Sequence, residues 1–154
     1  MTIDKIDISL LNLLQNNTKL NTKELAQKIG LSVTPTYERI KRLEKQGYIK
    51  DYVAILDKKL IDKNLMVMSF VSLKSHSKDI LIDFENSVIK FDEIIECFHV
   101  TGSYDYQLKV IVSDMEEYQF FIKNKLSSID NIANVQSSFV MSSLKDTTAI
   151  PIIA

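Results

Sequence analysis

Cysteine is almost absent from this chain. The 154 residues contain one, Cys97, and two histidines, so no internal disulfide can form and no Cys/His cluster has metal-ligand spacing. A reducing cytoplasm is expected, with no metal and no cofactor. Long apolar runs are absent as well. The opening residues, MTIDKIDISLL, lack the apolar core and small-residue cleavage site of a secretory signal, and no stretch approaches the roughly 20 residues that cross a bilayer. A soluble intracellular protein with no membrane partner follows. The third absence is net charge: 19 Lys and Arg against 20 Asp and Glu leave −1, which taken whole argues against a nucleic-acid binder.

The distribution of charge reverses that impression. Residues 1–63 hold 12 Lys or Arg against 8 Asp or Glu, net +4, while residues 64–154 hold 7 against 12, net −5. The length allows one generous domain or two small ones, each with a real core. We expect two, with the boundary at 63/64.

The basic half is organised around residues 21–47, NTKELAQKIGLSVTPTYERIKRLEKQG, which reads as two short helices and a tight turn. Asn21 stands three residues before Glu24, a pairing that satisfies free amides at a helix start. Leu25, Ala26 and Ile29 recur at helical spacing, and Gly30 supplies a left-handed stop. In the second helix Thr36, Ile40 and Leu43 form the inward stripe, leaving Thr34, Glu38, Lys41 and Lys45 outward. Ser32 is one candidate cap. Thr34 is preferred, with Pro35 as first helical residue, because the residue before proline is pushed out of the helical region. That choice puts the Thr34 hydroxyl and the Tyr37 ring at the helix tip, where phosphates or base edges are reached. Two such helices form a helix-turn-helix whose second member enters the major groove of double-stranded DNA.

Around it, residues 4–15 predict a first helix, with Asp4 as cap and Ile6, Leu10, Leu11 and Leu14 on one side. Residues 48–56, rich in β-branched and aromatic side chains, predict a strand, and DKKLIDKN (57–64) a linker. Beyond it the pattern changes: strands over 65–74, 94–101, 104–112 and 136–143, and helices over 78–89 and 114–126 with Asp114 as cap. The two middle strands, separated by the turn containing Gly102, form a hairpin. The fold class is therefore α+β, a winged helix-turn-helix joined to a ferredoxin-like βαββαβ domain. Met66, Met68 and Phe70 alternate with Val67, Val71 and Leu73, so the first strand is apolar on both sides, and a second copy of the sheet is the simplest cover.

The runs ELAQKIGLSVTPTYERIKRLEKQGYIKDYVAILD and VTGSYDYQLKV resemble the Lrp/AsnC, or feast/famine, transcription regulators, over essentially the whole chain. The helical module combined with a Gly-x-Tyr-Asp hairpin in a βαββαβ domain makes the resemblance specific. It implies an N-terminal DNA-binding domain, a C-terminal effector domain, dimers that assemble further, often to octamers, and a response to amino acids. Asp51 and Asn64 stand where the family often has Gly; Asn tolerates the left-handed conformation.

For the recognition helix, Thr34, Tyr37, Glu38 and Lys41 are expected to meet base edges and Arg39, Arg42 and Lys45 to meet phosphates. The alternative is a solvated face whose arginines pair with nearby acids, and Arg39, flanking the inward stripe, is the nearest to it. At the hairpin turn, backbone donors near Gly102 suit a carboxylate and Asp105 an ammonium group, so an amino acid would satisfy both. An ordinary turn, with Asp105 paired to a neighbour, explains the same residues. The resemblance implies that Gly102, Ser103, Tyr104 and Asp105 form the effector site. A second wall comes from Ser127 and Ser128 or from Gln136 and Ser138 of an adjoining subunit. His99 reads as structural, His76 as solvated, and the methionines as packing residues. The expected function is a sequence-specific transcriptional regulator, not an enzyme. Two rivals stand beside it: a tetrapyrrole decarboxylase, since some haem-biosynthesis decarboxylases resemble this two-domain body, and an architectural DNA-binding protein without effector.

Overall fold

The computed structural model describes residues 3–152. They form two compact units, residues 3–55 with 145–152 and residues 56–144. The segment read as a linker thus packs with the second unit, and the C-terminal residues pack with the first.

The first unit is built from α1 (Lys5–Asn16), α2 (Thr22–Ile29) and α3 (Val33–Lys45). Local sequence explains their starts. Asp4 and Asp7 exchange side-chain bonds to each other's amides at 2.8 and 3.1 Å, and Asn21 and Glu24 do the same at 3.0 and 2.8 Å. Each exchange satisfies two amides that the helix itself leaves free. Gly30 ends α2 at φ +72°, where a side chain would be strained. Leu10, Leu25 and Leu43 are fully or almost fully buried, with Leu11, Leu14 and Ile40 beside them, so one face of each helix closes a small core. The tail is fastened to α1 by Gln15, whose side-chain amide donates to Ile150 O at 2.8 Å and accepts from Ile150 N at 2.9 Å.

Two expectations for this unit need correction. Helix α3 begins at Val33 with Ser32 as cap, and Thr34 and Pro35 are its second and third residues. The whole first turn lacks intrahelical acceptors for its amides, so proline's missing N–H costs nothing at the third position either. Residues 48–56 form no strand, although Val53, Ile55 and Leu56 are extended in sequence pattern and exposed. A strand is completed by a neighbour's ladder, and among the described residues no strand pairs with this segment.

The second unit contains β1 (Leu65–Leu73), α4 (Lys78–Val88), β2 (Ile94–His99), β3 (Tyr106–Val112), α5 (Met115–Asn124) and β4 (Ile132–Phe139). The strands are antiparallel in the order β2-β3-β1-β4, which is the ferredoxin-like βαββαβ topology. Strand β4 lies earlier than residues 136–143. It pairs along β1 from Leu73↔Ile132 to Val67↔Phe139, and the bond from Val140 N to Met66 O is the last before β1 runs out.

Alternation then decides which side chains meet the helices. Val67, Val71, Leu108, Val110 and Val112 face α4 and α5 and are fully buried with Phe84, Val88, Phe121 and Leu126. The opposite face carries Met66, Met68, Phe70, Gln107, Lys109, Phe98, Gln136 and Ser138, by strand register, and no helix among the described residues of its own unit lies over it.

Candidate DNA-binding face and effector-binding loop

Thr36, Ile40 and Leu43 anchor α3 to its unit, and Thr36 also ties its hydroxyl to Ser32 O at 2.9 Å. Those anchors turn Thr34, Tyr37, Glu38, Lys41 and Lys45 outward, all exposed. Lys41 lies 5.7 Å over the Tyr37 ring and 2.7 Å from Glu44, whose other oxygen accepts from the Tyr52 hydroxyl at 3.1 Å. The Glu44 bond raises the Lys41 pKa and lowers its own; burial, then Glu44, pushes Tyr52 up to about 12. Both amine and carboxylate stay charged at neutral pH, so the outward face offers one cation beside an aromatic ring and one acid acceptor.

Arg39 and Arg42 depart from the expected set. Arg39 bonds Asp4 at 2.6 Å and Asp7 at 2.8 Å, and Arg42 bonds the other oxygen of Asp7 at 2.6 Å. Asp7 is only 2% exposed. These guanidiniums hold α3 to the start of α1, the acid pairing that stood as the alternative to phosphate contact. The physical reason is the capping box: it aims both carboxylates of α1's first turn at the side of α3. Hydrogen bonds donated to Asp4 and Asp7 raise the Arg39 pKa, and bonds from the Asp7 amide and Arg39 lower that of Asp4.

In the second unit the loop between β2 and β3 turns at Gly102, φ +121°. That conformation is open to glycine and strained for anything else. The loop is pinned by Val100 N to Asp105 O at 2.8 Å and Asp105 N to Val71 O at 2.9 Å. Ser103 offers its carbonyl to the Ser72 hydroxyl at 3.5 Å. Tyr104 bonds Gln136 through its hydroxyl and lies 5.3 Å from the Phe70 ring, so Phe70, Tyr104 and Gln136 meet at the uncovered face of the sheet. Ser138 is exposed on the same face, opposite Met68. Asp105 is engaged elsewhere: one oxygen accepts Leu73 N at 2.7 Å and the other meets His76 Nε2 at 2.8 Å. His76, read as merely solvated, is exposed and also paired.

The remaining candidates bond or stack within their own unit. His99 stacks on Tyr106 at 4.6 Å, and the Tyr106 hydroxyl donates to Glu85 at 2.8 Å. Burial raises the Cys97 thiol pKa, which disfavours the reactive thiolate. Ser127 and Ser128 donate to the carbonyls of Lys123 and Lys125 at the end of α5. The contacts of Phe70 and His76 with the candidate loop were not legible in sequence because their partners lie 34 and 29 positions away, and no local pattern signals them.

Residues 3–50 match the winged helix-turn-helix DNA-binding model and residues 66–150 the Lrp/AsnC ligand binding domain model. The chain belongs to the Lrp/AsnC family. It is 37% identical over 150 residues to the Bkd operon transcriptional regulator of Pseudomonas aeruginosa, covering 97% of this chain and 98% of that one. It is 35% identical to the leucine-responsive regulatory protein of Escherichia coli, covering 97% and 92%. A transcriptional regulator from Neisseria meningitidis, solved as an L-Met complex, superposes with TM-score 0.94 at 37% identity and 97% coverage of both chains. An AsnC family regulator from Agrobacterium tumefaciens gives 0.93 at 36%, with the same coverage. This Lrp/AsnC member is thus a DNA-binding transcriptional regulator, with the winged helix-turn-helix in its first unit and the ligand-binding domain in its second. These relatives are named as regulators of transcription. No helix among the described residues is long and apolar enough to cross a membrane.

Proposed function

We propose that the chain regulates transcription in the cytoplasm as a homodimer whose second unit binds a free amino acid at the Gly102–Asp105 loop, without catalysing a reaction. The observation that carries the reading is the meeting of Phe70, Tyr104 and Gln136 on a sheet face that no helix among the described residues of its own unit covers. A second copy covers Met66, Met68 and Phe70 and supplies the far wall of the site, with Gln136 and Ser138 of one copy facing the turn of the other. It also supplies a ladder partner for residues 48–56. The backbone at Gly102 and Ser103 receives the carboxylate. Asp105 receives the ammonium once His76 gives way, and the apolar side chains receive the effector's own. The Neisseria meningitidis regulator, crystallised with L-Met, supports an amino acid over other small molecules.

In the first unit, Thr34, Tyr37, Glu38 and Lys41 read base edges and Lys45 meets a phosphate, while Arg39 and Arg42 fix the helix that carries them. Two copies then require pseudo-palindromic half-sites. Effector binding favours one arrangement of the paired recognition helices over another, a coupling of about 1–3 kcal/mol.

A thermal-shift screen of the twenty amino acids tests the reading. A ligand at 100 times its Kd stabilises the folded form by about 2.7 kcal/mol, a shift of several degrees. Sedimentation should show a dimer or a multiple of it. No shift with any amino acid, or a monomer, would remove the effector assignment.

A further inference from the structure

The first unit holds an anion where a DNA-binding domain has least apparent use for one. Asp7 is 2% exposed and receives two guanidiniums, from Arg39 and Arg42, while Asp4 receives Arg39 a second time. Two cations and two carboxylates cancel. Arg42 is nevertheless 42% exposed, and it sits beside Lys41 and between Glu38 and Lys45 on α3, at the rim of the outward face. Helix phase therefore places it where backbone phosphates flank a helix lying in a groove. A free arginine there would add attraction for any DNA, because phosphate contacts carry no sequence information.

We propose that Asp7, with Asp4, is a specificity-determining element: it neutralises Arg39 and Arg42 so that the recognition helix binds DNA through its base-reading side chains more than through the phosphate backbone. The inference rests on α3 being the DNA-contacting helix. Its sign separates it from a purely structural role. If the carboxylates only held α3 in place, removing one would weaken all DNA binding and leave the salt slope shallower or unchanged. If they withhold charge, removing one leaves a net +1 at the rim, so binding to random DNA tightens and discrimination falls.

The test uses the full chain and two duplexes of equal length, one selected from a random pool by the wild-type protein and one of mixed sequence. Binding is followed by fluorescence anisotropy from 50 to 200 mM salt. The variants are Asp7→Asn and Asp4→Asn. The second keeps α1 capped, since Asn caps a helix as well as Asp, so it folds even where the first is weakened. Each folded variant should steepen the log–log salt slope on mixed-sequence DNA by about 0.9, the value of one further phosphate. Affinity for that DNA should rise several-fold at low salt, and the ratio of selected to mixed-sequence affinity should fall several-fold. An unchanged or shallower slope in Asp4→Asn, or lower affinity for both duplexes in parallel, overturns the proposal. A wild-type protein with no salt-dependent binding would instead refute α3 as the DNA helix.

Discussion

The two units reach a stable state by different physics. In the second, a four-stranded sheet and two helices enclose a continuous apolar core, including Phe84, Leu108, Val110 and Phe121, all fully or almost fully buried. Its fully buried Ser69 hydroxyl meets the Tyr118 hydroxyl at 2.9 Å. In the first, half as many buried apolar side chains close three short helices, and the position of α3 depends also on a buried carboxylate and two arginines. A small helical unit exposes most of its surface and has little apolar area to bury, so a directional ion-pair lattice sets the angle of one helix on another. The lesson is that the same chain uses non-directional burial where it needs a rigid body and charge where it needs an oriented helix.

That contrast can be broken most sharply by deletion. Phe121→Ala should cost about 3–5 kcal/mol by leaving a cavity in the second unit. Asp7→Ala should cost less, about 1.5–3 kcal/mol in the first, although it removes no apolar contact, because Arg42 is left unpaired at the surface while Arg39 keeps Asp4. Calorimetry of the full chain reads both; a shallow loss for Asp7→Ala would mean that charge does not position α3.

A change confined to the turn should act on response and not on binding. Gly102→Val places a β-branched residue at φ +121° and should cost about 1–3 kcal/mol of local strain. The amino-acid-induced thermal shift should vanish while affinity for selected DNA is retained, and a normal shift would take the turn out of the site.

Acid should separate the units in a further way. The N–H of Ser113, then Lys63, holds the Glu117 carboxyl at about 2, below its ordinary 4.5. A depressed carboxyl stabilises the folded state fully above its unfolded value and loses that contribution as pH falls through the folded one. The melting-point advantage of the wild type over Glu117→Gln should therefore be constant above about pH 5 and close between about 4.5 and 2. A gap independent of pH would show that Glu117 contributes only by packing.

The smallest effect belongs to one exposed cation. Lys45→Gln should weaken DNA binding a few-fold and make the salt slope shallower by about 0.9, with melting temperature unmoved. An unaltered slope would place Lys45 away from the phosphates.

What could be read in the chain divides along the reach of each interaction. The starts of α1, α2 and α5 were legible because their bonds close over three residues, as at Asn21 and Glu24, while the α3 cap lies two residues before the expected Thr34; Gly30 marked a stop that needs no partner. The helix-turn-helix, the strand and helix order of the second unit and the inward stripes followed from periodicity alone. The strand expected over 48–56 shows the boundary of that method: the pattern is present, but a strand exists only when another strand supplies its ladder.

The site was legible as a turn and not as an arrangement. Gly102 announced itself by residue type, whereas the pairing of Asp105 with His76, and of Tyr104 with Gln136, joins residues about thirty positions apart that β-sheet register alone brings together. Arg39 stood apart in sequence by flanking the inward stripe, whereas Arg42 looked the same as Lys41 and Lys45, a cation on an exposed helix. Tertiary packing settled both, by setting the first turn of α1 beside two of the four. Local sequence thus determined which segments are helices, which faces are apolar and where charge accumulates, because those properties depend on neighbours within a turn or two. Folding decided which charges remain available to a partner, because availability depends on what the rest of the chain has already placed within about 3 Å.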